Sequence, residues 1–215
     1  MAVVNNPDLV SIETGHHAET TMNLIYYPGA CSLADHIALI EAGLSYRLIS
    51  INHDRKMQDG RDFLSINPKG YIPTLELEDG AILTENQVIL NYIAEASGKL
   101  LPGDRLLRWR VLEALAFMSS EIHSRYQPFF KDFPEPEKER AREKLAQAFA
   151  ILAEQMGDKT FLVSDEMTIA DCYLFWVLMV APRSGVELPE ALGRSFEHMR
   201  ARPSVIRAFA EEGLG

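Results

Sequence analysis

The rhythm of hydrophobic positions changes once along the chain. Between residues 22 and 97, short apolar runs alternate with helical spacing; after residue 104, long helical patterns take over. Residues 23–27 form a short β-prone run stopped by Pro28-Gly29. Leu33, Ile37, Ile40 and Leu44 then fall at helical spacing, with Gly43 placed to end that helix. Residues 45–51 predict a second strand, and residues 61–66 a short helix. The runs 74–77 and 81–83 flank Asp79-Gly80, a hairpin signal. Thr84-Glu85-Asn86-Gln87 has the form of a capping box. It predicts a helix whose apolar face carries Val88, Ile89, Tyr92, Ile93 and Ala96. The order βαβ, short helix, ββα predicts an α/β unit over residues 22–98.

Residues 97–104 hold two glycines and a proline, and residues 99–104 are expected to be a linker. Leu112, Leu115, Ser119, Ile122 and Tyr126 predict one helix breaking near Pro128. Pro134 and Pro136 mark a turn before a helix carrying Leu145, Ala148, Phe149, Leu152 and Met156. Thr168-Ile169-Ala170-Asp171 caps a third helical segment, residues 172–180, which is apolar all round and therefore central. Two shorter helices separated at Pro203 complete an all-helical unit over residues 105–215. Residues 1–21 lack the basic start and apolar core of a secretory signal and are expected to form a mobile tail.

The net charge of −10 argues against nucleic-acid and anionic-membrane partners, since both are polyanions. No apolar run reaches the roughly 18 residues of a membrane span. The chain has two cysteines, too few for a disulfide framework, which points to a reducing, cytoplasmic setting. The six histidines lack metal-ligand spacing, and no metal is expected. Gly-x-Gly-x-x-Gly, P-loop and Gly-x-Ser-x-Gly motifs are absent from the sequence.

Cys31 is the candidate chemical centre. It follows Pro28-Gly29-Ala30 at the start of an amphipathic helix, where the positive end of the helix dipole favours the thiolate. This position predicts a depressed thiol pKa. The alternative is a small buried hydrophobe, the usual fate of a free cysteine. Ser32 follows and Cys-x-x-Cys is absent, so any redox cycle must take its second thiol from a small molecule. Cys172 lies in the most apolar segment and reads as packing.

Four stretches carry a family likeness. They are Tyr26-Tyr27-Pro28-Gly29-Ala30-Cys31-Ser32, Asn67-Pro68-Lys69-Gly70-Tyr71-Ile72-Pro73, Leu83-Thr84-Glu85 and Thr168-Ile169-Ala170-Asp171. Together they resemble the bacterial beta class of glutathione S-transferases over residues 22–215. The resemblance implies a thioredoxin-like domain followed by an all-α domain, usually in a homodimer. It implies an enzyme that conjugates glutathione, its co-substrate, to small hydrophobic electrophiles, a detoxification chemistry, with thiol–disulfide exchange through Cys31 as a second activity.

The same resemblance assigns site residues. Cys31, Ser32 and His123 are the catalytic candidates, His123 facing the cysteine. Ile72-Pro73 is expected to be a cis peptide that presents the Ile72 backbone to the cysteinyl part of glutathione. Glu85 is expected to take the γ-glutamyl ammonium, and the Asn86 backbone N–H its carboxylate; a solvated acid in a first helical turn is the alternative for Glu85. Lys56 aligns with a lysine that meets the glycyl carboxylate, and Ser120 joins the glutathione site beside His123. Ala116 and Ser124 depart from Asn and Lys common in the class, and the counterpart of Tyr26 is not the main catalytic group there. Two alternatives remain from the residues: a non-catalytic binding or regulatory protein of this fold, and a glutathione-dependent isomerase or dehalogenase.

Overall fold

The computed structural model describes residues 21–131 and 133–215. Of the expected tail over residues 1–21, residues 1–20 lie outside them. Strand β1 (Met22–Tyr26), helix α1 (Ser32–Ala42) and β2 (Tyr46–Ser50) form a βαβ unit, with β1 and β2 parallel. After the short α2 (Phe63–Ile66) come β3 (Thr74–Glu76), β4 (Ile82–Thr84) and α3 (Asn86–Ser97). The sheet order is β2-β1-β3-β4, with β3 antiparallel to both of its neighbours. This is the expected thioredoxin-like arrangement. The period-two pleat divides β1 between two faces. Leu24 joins Leu33, Ile37, Ile89 and Ile93 beneath α1 and α3, while Ile25 packs with Met57 and Phe63 on the α2 side.

The turn chemistry behaves largely as the sequence predicts. Gly43 ends α1 in the left-handed region at φ 73°, where a side chain would be strained. Asp79-Gly80 closes the β3–β4 hairpin, with the Ala81 N–H donating to Asp79 Oδ1 at 2.9 Å. The predicted Thr84 cap is corrected. Thr84 pairs with Thr74 in the strand ladder, so α3 instead starts after Glu85, whose side chain makes no cap bond. Glu85 turns the chain at φ 74° and ψ 123°, a backbone conformation costing about 1–3 kcal/mol for a residue with a Cβ.

The remaining chain is helical: α4 (Arg105–Phe117), α5 (Gln127–Phe130), α6 (Glu135–Met156), α7 (Ile169–Val180), α8 (Glu190–Arg200) and α9 (Pro203–Glu212). The single helix predicted up to Tyr126 is also corrected. α4 ends at Phe117 and is followed by a π-helical turn at Met118–Ile122 and a 3-10 turn at His123–Tyr126. Pro128 does not break the chain there; it occupies the first turn of α5, where its missing N–H leaves no bond unmade.

Every residue of α7 except Met179 is buried, so the segment is central as expected. Its start is a capping box: Thr168 Oγ1 accepts from the Ala170 N–H, and Asp171 Oδ2 accepts from the Thr168 N–H. Helix α1 packs against α3, α7 and α9, which places the N-terminus of α1 between the two halves.

Candidate active site

The turn before Cys31 is held from both sides. Gly29, at φ 70°, donates its N–H to Glu212 Oε2 of α9 at 2.9 Å. Its carbonyl accepts from Trp176 Nε1 of α7 at 3.2 Å. Cys31 itself occupies the residue before α1 and is 7% exposed. Its Sγ donates to the Ile72 carbonyl at 3.5 Å, and the Ile72-Pro73 peptide is cis, as expected.

Two clefts meet at this sulfur. One, of about 330 Å³, is lined mostly by residues with polar side chains, among them Lys69, Glu85 and Asn86, together with Ile72, Pro73, Cys31 and His123. The other, of about 750 Å³, is walled by Trp176, Met179, Val180, Phe130, Phe209 and Leu214, again with Cys31 and His123. In the polar cleft, the N–H groups of Asn86 and Gln87 open α3 and have no intrahelical acceptor by virtue of their position. With the dipole of a 12-residue helix behind them, they suit a carboxylate. Beside them, Lys69 Nζ bonds Glu85 Oε1 at 2.7 Å and Thr84 Oγ1 at 2.9 Å. The cleft thus offers one anion, one cation and free backbone donors.

Burial sets the protonation of the site. It pushes the Cys31 thiol up, the Asp35 carboxylate adds to this, and the backbone N–H groups of Cys31 and Ser32 oppose it without prevailing. The expected depressed pKa is therefore overturned for the free protein: desolvation outweighs the helix-end field. Burial also lowers His123 to about 4, so the ring is neutral near pH 7. His123 Nδ1 lies 2.6 Å from the Tyr173 hydroxyl. Burial raises the Tyr173 phenol, Cys31 adds to this, and nearby Ser119 opposes it. A protonated phenol donating to Nδ1 leaves Nε2–H as the free donor of a neutral imidazole.

The structure brings Cys31, Ile72, Pro73, Glu85, Asn86 and His123 around one cleft. It does not bring in three of the sequence candidates. Lys56 is exposed, its segment bridging Asp62, and Lys69 is the lysine in the polar lining. Ser120 is exposed while Ser119 lines the cleft, because the π-helical turn changes which residues face inward. Ser32 is fully buried, with its hydroxyl directed to the Tyr27 carbonyl at 3.5 Å. Of the departing positions, Ala116 is exposed and Ser124 lines the polar cleft. Tyr26 is buried in the core of the sheet.

Sequence reasoning missed Tyr173, Lys69, Ser119 and Trp176. Lys69 lies in a stretch already singled out. Tyr173 and Trp176 follow the Thr-Ile-Ala-Asp box in a segment whose uniform apolarity hid the two polar atoms it carries. The loose spacing of Ser119 and His123 carries no signal of a π turn.

Comparison with known proteins accounts for this arrangement. The family model for the glutathione S-transferase N-terminal domain matches residues 30–96, and that for the C-terminal domain matches residues 114–203. Glutathione S-transferase GstA of Escherichia coli O157:H7 is 36% identical over 200 residues, covering 90% of this chain and 100% of that protein. A sphingomonad glutathione S-transferase complexed with glutathione superposes with a TM-score of 0.83 at 36% identity, covering 90% of this chain and 100% of that one. The beta-class enzyme of Sphingomonas chungbukensis gives the same TM-score, identity and coverage. With two clefts meeting at a buried cysteine, and relatives whose full length is matched by 90% of this chain, the chain belongs to the glutathione S-transferase family.

Proposed function

We propose that the protein conjugates glutathione to small hydrophobic electrophiles, with Cys31 acting as a protonated hydrogen-bond donor. The observation that carries this reading is the shared position of Cys31 and His123 in the linings of both clefts. Glutathione occupies the polar cleft. Its γ-glutamyl ammonium meets Glu85, the adjacent carboxylate meets the N–H groups at the start of α3, and Lys69 supplies the cation for a carboxylate. The Ile72 backbone pairs with the cysteinyl unit and brings the glutathione sulfur to the junction.

There the Cys31 S–H and the His123 Nε2–H are donors for a thiolate, which lowers the pKa of the glutathione thiol. The thiolate attacks the electrophile from the apolar cleft. A new C–S bond forms, the leaving group departs with its electron pair, and the thiol proton passes to solvent. The raised pKa of Cys31 favours this donor role over one in which Cys31 itself is the resting nucleophile. Thiol–disulfide exchange is then the slower, second activity. We place the work of the chain in residues 22–98 for glutathione and 105–215 for the electrophile, joined by 99–104, and read the assembly as a homodimer.

The test is retention on immobilised glutathione followed by turnover of 1-chloro-2,4-dinitrobenzene. Failure of both would overturn the assignment. Size-exclusion chromatography with light scattering tests the dimer, and a monomer mass would reject it.

A further inference from the structure

Among the described residues, the apolar cleft has one permanent cation, Arg183, and no carboxylate in its lining. Arg183 sits in the 3-10 turn Ala181–Ser184 that follows α7, and its guanidinium carbon lies 5.1 Å from the centroid of the Phe130 ring. Two other arginines stack in a similar way, Arg142 over Phe129 and Arg207 over Tyr46. Both are neutralised at the same time, Arg142 by Glu135 and Glu139, Arg207 by Glu211. Arg183 has no ion pair among the described residues. In a chain of net charge −10, Arg183 is thus a positive group without an ion pair among the described residues, in a mostly apolar lining whose other polar side chains are Tyr27, His53 and His123.

The stack matters chemically. A ring beneath one guanidinium face orients the planar fork and leaves its edge N–H groups free, the geometry that binds a carboxylate with two parallel bonds. Trp176, bonded to the turn before Cys31, lies seven residues before Arg183. At the α-helical rise to Val180 and the 3-10 rise beyond it, their backbones lie about 12 Å apart along the chain axis. Cys31, Trp176 and Arg183 line the same cleft, so a ligand that reaches both the sulfur and the guanidinium carries its charge away from its reactive carbon.

We propose that the electrophile is an aromatic or similarly flat apolar molecule carrying a carboxylate remote from its reactive carbon, and that Arg183 selects it. This rests on the transferase reading of the site and adds the charge of the second substrate. The chemistry is the same displacement: the glutathione thiolate forms the C–S bond, the halide leaves with the bonding pair, and the proton goes to solvent.

The test uses the full chain with glutathione and a matched pair of halides, 4-chloro-3-nitrobenzoate and 4-chloro-3-nitrobenzamide. Each kcat/KM is divided by the uncatalysed rate of the same halide with glutathione, so intrinsic reactivity cancels. The corrected preference for the carboxylate is expected to be about tenfold, the size of a charge-assisted bond at a partly exposed site. It is expected to fall as salt is raised, to approach one in Arg183→Met and to be intermediate in Arg183→Lys. Arg183→Gln is the second neutral variant should Arg183→Met aggregate. A wild-type ratio near one, or a ratio unchanged by both neutral substitutions, overturns the proposal. Isothermal titration with glutathione separates the two failures. Glutathione binding without charge preference rejects only the role of Arg183, whereas no glutathione binding and no turnover of either halide rejects the transferase reading with it.

Discussion

The Asn86 side-chain amide donates at 2.8 Å to both the Cys31 carbonyl and Asp35 Oδ2. One side chain thus joins the two helix starts that form the site: its backbone opens α3 at the glutathione cleft, and its amide fixes the start of α1. Asp35 is fully buried, and its Oδ1 has no partner. Replacing Asn86 by Ala strips the amide donor from the buried Asp35 Oδ2, while the Cys31 carbonyl keeps only the Ala34 N–H at 3.1 Å. We expect a loss of about 2–3 kcal/mol in urea unfolding, together with a raised KM for glutathione. A variant as stable as the parent would show that the bridge is dispensable.

The same pair bears on thiol reactivity. Burial raises the Asp35 carboxyl, and the bonds from its own N–H and from Asn86 only partly offset this. Burial first, and Asp35 second, raise Cys31. Alkylation of Cys31 by iodoacetamide in the free protein should therefore show a midpoint above the ordinary thiol value of about 8.5. Asp35→Asn removes the repulsion between the two anions and should move the midpoint down. A wild-type midpoint at or below the ordinary value would contradict the burial argument.

His123 makes stability sensitive to acid. Its folded pKa, about 4, lies below the value of about 6.5 expected when unfolded. Between these values the unfolded chain binds more protons, so stability rises with pH across the window and is lost as pH falls through it. The contribution is at most about 3 kcal/mol. Urea titrations at pH 4.5 and 7 should show a smaller difference in His123→Asn than in the parent, and equal differences would exclude His123 as the source.

Glu85→Gln separates binding from stability. The Lys69–Glu85 pair is more than half exposed on both sides, so its loss should leave the unfolding midpoint nearly unchanged. In catalysis the change removes the anion assigned to the γ-glutamyl ammonium. KM for glutathione should rise about tenfold, more than kcat falls. Unchanged KM would return Glu85 to the role of a solvated acid in a first helical turn.

The sequence by itself determined what is local. Period-two runs, the Asp79-Gly80 turn, Gly43 and the Thr168–Asp171 cap fixed element types because these signals act within a few residues. The motif around Cys31 and Ile72-Pro73 was legible for the same reason, since each is a continuous stretch of chain. The boundaries that moved did so at Thr84, which strand pairing took from its cap, and at Met118–Ile122, where a π turn replaced the continuous helix expected up to Tyr126.

Only the tertiary structure decided the protonation of Cys31 and His123, because desolvation depends on atoms brought from distant parts of the chain. It alone paired His123 with Tyr173, 50 residues apart, and placed Arg183 beside Phe130 at the edge of the apolar cleft. No periodicity in the sequence encodes such meetings. They arise when α7 is buried between the two halves and its few polar atoms take the partners they find there.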